Sequence, residues 1–218
     1  MKLFKLAGFL FAALLLVPFA HADSGPVNMV FTGVNGANDG HYYVSPYTGT
    51  LNGQTVVLFC DDIKNDVTFG QQWQANVTNL GTAISTNDFS NTRYGGVAGS
   101  SIFGNANVAY SEAAWLTTQF AGHTNDFVSL QYALWDIMNP GSEPTTFGDV
   151  QSWLDQAAAN YGSINSSSFS IVTNTGTLQL TGQVQEFIVQ TPEPGVLALL
   201  LCGLLAVAVR LNRGRLTN

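Results

Sequence analysis

The stretch Leu51-Asn52-Gly53-Gln54-Thr55-Val56-Val57-Leu58-Phe59-Cys60, LNGQTVVLFC, decides how the chain is read. Asn-Gly opens it, and a run rich in β-branched and apolar residues follows, ending on a cysteine. Asn and Gly both tolerate the positive φ of a tight turn, so this dipeptide beside such a run signals an antiparallel hairpin. Working outward, VNMVFTGV (27–34), HYYVSPY (41–47) and WQANVTNL (73–80) are further short strand-like runs. Turn signals separate them at NGANDG (35–40) and at Tyr47-Thr48-Gly49. Residues 78–105 are rich in Gly, Asn, Ser and Thr without clear periodicity, and read as a long irregular connection.

Beyond this the pattern changes to helical. Ser111-Glu112 reads as the start of one helix, YSEAAWLTTQFAG, with Ser111 as its cap and Gly122 as its stop. Thr124 or Asn125 caps the next, DFVSLQYALWDIM, which ends at Asn139-Pro140-Gly141. A third, FGDVQSWLDQAAANYG, ends on Gly162, and the runs FSIVTNTG and TLQLTGQVQEFIV return to strand. The order implies an α+β domain: an antiparallel β-sandwich or barrel with an inserted group of about three helices.

The ends of the chain are of a different kind. Residues 1–22, MKLFKLAGFLFAALLLVPFAHA, join a positive start (Lys2, Lys5), an apolar run and an Ala20-His21-Ala22 cleavage site. These are the parts of a secretory signal, so residues 23–190 are expected to be exported. At the other end, 15 residues without charge, Gly195 to Val209, precede Arg210, Arg213 and Arg215. A short transmembrane helix with its basic end in the cytoplasm is the expectation.

Charge is distributed just as unevenly. Only Lys64 and Arg93 are basic within 23–209, against all 14 acidic residues of the chain, a formal charge of −12. Such a surface repels polyanions and argues against nucleic acid as a partner. Cys202 lies in the tail helix, so Cys60 is the only cysteine of the exported domain and has no intrachain disulfide partner.

In the second helix, at 100° per residue, Phe127, Leu130, Leu134 and Met138 form one stripe with Trp135 at its edge. Gln131 falls inside that stripe, about 40° from Phe127. A glutamine on a core face needs its amide hydrogen-bonded or chemically altered.

Two resemblances follow. Pro192-Glu193-Pro194, the short hydrophobic helix and the terminal Arg210, Arg213 and Arg215 resemble the PEP-CTERM sorting signal, over residues 191–215. The resemblance implies recognition by the membrane enzyme exosortase in a Gram-negative bacterium that makes extracellular polysaccharide. It implies inner-membrane anchoring through the tail helix before processing, then the cell surface or extracellular matrix.

Phe59-Cys60-Asp61-Asp62 together with Leu130-Gln131-Tyr132-Ala133-Leu134-Trp135 resemble the two motifs of the bacterial thioester domain of surface adhesins. Val184-Gln185-Glu186-Phe187-Ile188 resembles that family's closing strand. By resemblance, Cys60 supplies the sulfur and Gln131 the acyl carbon of an internal thioester, with Phe59, Asp62, Ala133, Trp135 and Gln185 as supporting motif positions. Leu130 stands where the family prefers Thr, and Asp61 where it prefers a large apolar residue. The expectation is a covalent adhesin without catalytic turnover and without cofactor or metal. Its partners are surface amine or hydroxyl groups, or the extracellular polysaccharide. Lys64, four residues beyond Cys60, is an internal amine that could quench the thioester.

Two other classes compete. A non-covalent structural protein of the matrix would simply bury Cys60 as a small hydrophobe. A cysteine hydrolase would need His41 or His123 beside Cys60, although both read as loop residues. The run DDIKND (61–66) lacks the spacing of a calcium loop and reads as a solvated acidic turn.

Overall fold

A computed structural model describes residues 25–142 and 147–191, together with Gly203. The expected signal (1–22) lies outside the described residues. So do the expected sorting-motif residues Pro192, Glu193, Pro194, Arg210, Arg213 and Arg215. Residues 23–191 gather into one compact unit. Among the described residues no helix is long and apolar enough to cross a membrane.

Six antiparallel strands close into a barrel in the order β1-β2-β3-β6-β5-β4. They are β1 (Val27–Val34), β2 (Tyr47–Leu51), β3 (Gln54–Cys60), β4 (Gln72–Asn79), β5 (Phe169–Asn174) and β6 (Phe187–Gln190). The Asn52-Gly53 hairpin forms as expected: both residues take positive φ, 48° and 81°, and Leu51 pairs with Gln54 across a two-residue turn. The expected turn at Tyr47-Thr48-Gly49 is instead strand β2. Tyr47, Gly49 and Leu51 are its buried face, and a side chain at Gly49 would strike Leu58, Met29 and the Val30 carbonyl. The HYYVSPY run forms no strand of its own before Tyr47; it contributes only an isolated bridge between Asn38 and Tyr43.

Closure removes the exposed strand edges of an open sheet. Rings fill the interior: Phe187 stacks on Phe31 and Trp73 and meets Tyr47 edge-on, with centroids 6.2–6.4 Å apart. Strand alternation places Leu58 and Cys60 on the same face as these rings and turns Phe59 outward, where it packs on Phe120 at 5.1 Å.

The sequence led us to expect about three helices; the described residues contain five. They are α1 (Leu80–Thr86), α2 (Arg93–Gly96), α3 (Ala106–Gln119), α4 (Phe127–Met138) and α5 (Val150–Asn160). The two unexpected ones lie in the stretch read as irregular, and both start at side-chain caps. Asn79 accepts from the Thr82 amide and Thr92 from the Gly95 amide. Helix α3 begins at Ala106, five residues before the expected cap, so Ser111 is internal and its hydroxyl donates to the Asn107 carbonyl. Helices α3, α4 and α5 pack on one another, and α4 reaches the end of β3.

Candidate functional site

Cys60 is the last residue of β3 and pairs with Phe187, the first of β6. Gln131 lies in the second turn of α4, and both residues are fully buried. The structure brings them together. The Gln131 Nε2 donates to the Cys60 backbone carbonyl at 2.6 Å, and the Ser45 amide donates to Gln131 Oε1 at 3.0 Å. A carbonyl can only accept and an N–H can only donate, so these partners fix which way the carboxamide faces. The Ser45 hydroxyl in turn accepts from the Cys60 amide at 2.9 Å. Ser45 therefore holds both residues at once, and sequence reading passed over it. One of its two bonds is made by its backbone N–H, which no residue preference advertises. The Gly36 loop fits tightly against this segment: a Cβ there would collide with the Val44 and Ser45 carbonyls.

The Cys60 thiol donates to the Asp62 carbonyl at 3.3 Å. Burial pushes its pKa far up. Asp61 and Asp66 add to the rise, while the Trp135 indole N–H and Arg93 act against it. Of the supporting positions, Phe59, Ala133 and Trp135 are buried core. Gln185 reaches the Asp62 carbonyl through its amide at 3.4 Å.

DDIKND is not a solvated acidic turn: Asp61 and Asp62 are fully buried and Asn65 nearly so. Asp62 forms an ion pair with Arg93, also fully buried. It accepts further from the Tyr94 hydroxyl (2.8 Å), the Asn65 amide (3.0 Å) and the Glu186 backbone N–H (3.2 Å). Glu186 receives the Arg93 backbone N–H (2.7 Å), the Tyr110 hydroxyl (2.6 Å) and the Thr173 hydroxyl. Arg93 also donates to Asn174 and to the Val184 carbonyl, both at 2.6 Å. This network ties the end of β3 to α2, α3 and the start of β6. Its one signal in the sequence was Arg93 itself, a single arginine in a domain otherwise almost without cations.

Asp61 is the exception: neither carboxyl oxygen has a hydrogen-bond partner among the described residues. Burial, and then the negative charge of Glu186, hold its pKa well above the ordinary carboxylate range, with Arg93 pulling the other way. Burial thus favours its neutral form. The folded state therefore binds the Asp61 proton more tightly than the unfolded chain. That contribution is fully present below about pH 4 and is lost as pH rises towards the raised value. Asp61→Asn is expected to leave stability unchanged near pH 4. At pH 7 it should raise stability by about 1.4 kcal/mol for each unit of pKa elevation that pH 7 has passed. Urea denaturation at the two pH values checks this.

A cleft of about 490 Å³ opens beside the site, lined by Tyr42, Tyr43, Tyr47, Phe69, Trp135 and Gln185 among others. His41 also lines it. His123 lies elsewhere, packed edge-on against Trp153 with its Nδ1 2.9 Å from the Gln119 carbonyl. Lys64 is exposed and only its backbone N–H enters the network, donating to Asp62 at 3.1 Å. No protein-family model, no curated protein and no solved structure matches the chain.

Proposed function

We propose that the chain is an exported cell-envelope or matrix protein, sorted by exosortase through its tail, whose domain forms an internal thioester between Cys60 and Gln131. One observation carries the thioester: the Gln131 carboxamide sits on the Cys60 carbonyl in a fully buried site, with Ser45 bonded to both residues. Proximity and exclusion of water are what this reaction needs, since water would hydrolyse the product.

The chemistry balances without a cofactor. The Cys60 sulfur attacks the Gln131 carbonyl carbon, a carbon–sulfur bond forms, and the carbon–nitrogen bond breaks. The thiol proton leaves with the nitrogen as ammonia. The Ser45 N–H on Oε1 withdraws charge from the carbonyl and suits an oxygen that becomes negative during attack. The raised thiol pKa makes thiolate scarce, so formation is slow at neutral pH and faster as pH rises.

The mature thioester is then an acyl donor. A surface amine or hydroxyl, including one of the extracellular polysaccharide, attacks the Gln131 carbon, becomes covalently attached and releases Cys60 as a thiol. The cleft beside Trp135 is the approach. The sorting half of the proposal rests on Pro192-Glu193-Pro194, the apolar run and the three closing arginines.

A second reading has its own support. Both polar ends of Gln131 are already satisfied by backbone groups, as in a purely structural glutamine. On that reading the domain is a non-covalent component of the matrix. Hydroxylamine separates the two. A thioester leaves Cys60 resistant to alkylation in denaturant until hydroxylamine releases it, and converts Gln131 to a hydroxamate. Peptide mapping distinguishes Cys60 from Cys202. Immediate alkylation of Cys60 without hydroxylamine would favour the structural reading.

A further inference from the structure

Gln131 is fully buried, and on the thioester reading its side-chain carbon is the one an acceptor attacks. Reaction needs the acceptor within about 3–3.5 Å of that carbon. Burial that keeps water out keeps the acceptor out as well, so an element covering Gln131 has to move. Strand β3 is paired on both sides, to β2 and β6, and α4 packs on α3, α5 and β3. The remaining contact comes from the β1–β2 connection, residues 35–46, through the Ser45 amide on Gln131 Oε1 at 3.0 Å.

This connection is built as a strap. Its base closes where the Asn35 amide donates to the Pro46 carbonyl at 2.9 Å. Its two arms are joined by the Val44 amide on the Ala37 carbonyl, also at 2.9 Å, and by the Asn38–Tyr43 bridge. None of its residues belongs to a barrel strand. It lies along α4 at three places: Ser45 on Gln131, Asp39 on Tyr132 and Tyr42 on Trp135. At the second of these the Tyr132 hydroxyl donates to Asp39 Oδ2. The other oxygen, Oδ1, accepts from the His41 and Tyr42 amides at 2.7 and 2.6 Å, so one carboxylate both shapes the tip and fastens it. His41, Tyr42 and Tyr43 at that tip are exposed and line the cleft.

A segment outside the strand ladder opens more readily than a strand paired on both sides. Val44 and Ser45 are fully buried, so the lifted form is a minority state whose population the outer contacts set. We propose that the strap 35–46 is a cover that lifts to admit the acceptor from the cleft to Gln131, with the Tyr132–Asp39 hydrogen bond as its latch. The consequence for acyl transfer rests on the thioester reading; the latch itself does not.

The test is Tyr132→Phe in the full chain. Phenylalanine removes the latch hydroxyl and keeps the ring against Trp135 and Phe147, at 5.8 and 5.1 Å. Loss of a hydrogen bond to a charged acceptor should raise the population of the lifted strap about tenfold. Native-state hydrogen exchange of the Ser45 amide, which loses its Gln131 partner on lifting, should therefore quicken about tenfold. Exchange in the fully buried strand β5 should stay as in the parent. An unchanged Ser45 rate overturns the latch, and so does a rise that β5 shares, which reports global destabilisation. Added to Asp39→Ala, Tyr132→Phe should change the Ser45 rate no further. A second full tenfold rise would show the two residues acting separately and overturn the bond as the latch.

Methylamine reads the consequence. At fixed concentration it should cleave the thioester about tenfold faster in Tyr132→Phe than in the parent, because attack draws on the lifted form. Faster Ser45 exchange with unchanged cleavage overturns the strap as the acceptor's way in. If peptide mapping finds Cys60 free in the parent, the thioester reading fails, and the exchange rates alone decide whether the latch exists.

Discussion

Replacing Arg93 by methionine is expected to destabilise the domain by about 3–5 kcal/mol, among the largest effects any single substitution here should produce. Arg93 is fully buried and pairs with a fully buried Asp62, and the two carboxyl groups of Asp61 and Glu186 share the same interior. Taking charges out of water is expensive, and only one cation offsets three acids here. Methionine fills much of the volume but leaves Asp62 without its countercharge and the Asn174 and Val184 acceptors without their donor. Asp62 must then bind a proton to remain buried. The loss should accordingly be greatest at neutral pH and shrink in acid, where that proton is more readily bound. Urea denaturation of parent and variant at pH 7 and pH 4 reads both parts. A cost below about 1 kcal/mol at pH 7 would place Arg93 at a solvated surface pair instead.

Gln131→Leu should cost about 2–4 kcal/mol when measured in a Cys60→Ala background, where no thioester can form. Leucine suits the stripe of Leu130, Leu134 and Met138 and nearly conserves volume, so cavity formation contributes little. What is lost is the pair of hydrogen bonds, leaving the Cys60-position carbonyl and the Ser45 amide buried and bare. Each orphaned group carries a penalty of about 1–3 kcal/mol. Chemical denaturation of the single and double variants gives the number. A neutral or stabilising result would mean that water reaches both groups and that the site is not dry.

These two residues show what the amino-acid sequence can and cannot announce. Gln131 was legible because a helical period of 3.6 puts it among Phe127, Leu130, Leu134 and Met138, where a polar side chain demands an explanation. The Asn52-Gly53 turn and β3 were legible from the dipeptide and the run after it, whereas Tyr47-Thr48-Gly49 of β2 read as a turn. Helices α1 and α2 were not, because their residues are small and polar. They are placed by the Asn79 and Thr92 caps and by packing, not by an apolar stripe. Closure of the strands into a barrel depends on β6 meeting β3 and β5, contacts between segments far apart in the chain. The buried acids misled the reading for a related reason. Asp61, Asp62 and Asn65 look like a hydrophilic turn until Arg93, Tyr94 and Glu186 arrive from other elements to surround them. Ser45 joins Gln131 through its backbone N–H and Cys60 through its hydroxyl, and both partners are distant in the chain.

The central claim is that Cys60 and Gln131 become one covalent unit, and the mass of the chain tests it most directly. The thioester reading predicts a mass short by one ammonia against the value calculated for the observed termini. That deficit should disappear in Cys60→Ala and in Gln131→Ala. It should also map to a single cross-linked peptide pair containing both residues. A chain at its full calculated mass, with Cys60 freely alkylated in denaturant and Gln131 intact in its own peptide, would contradict it.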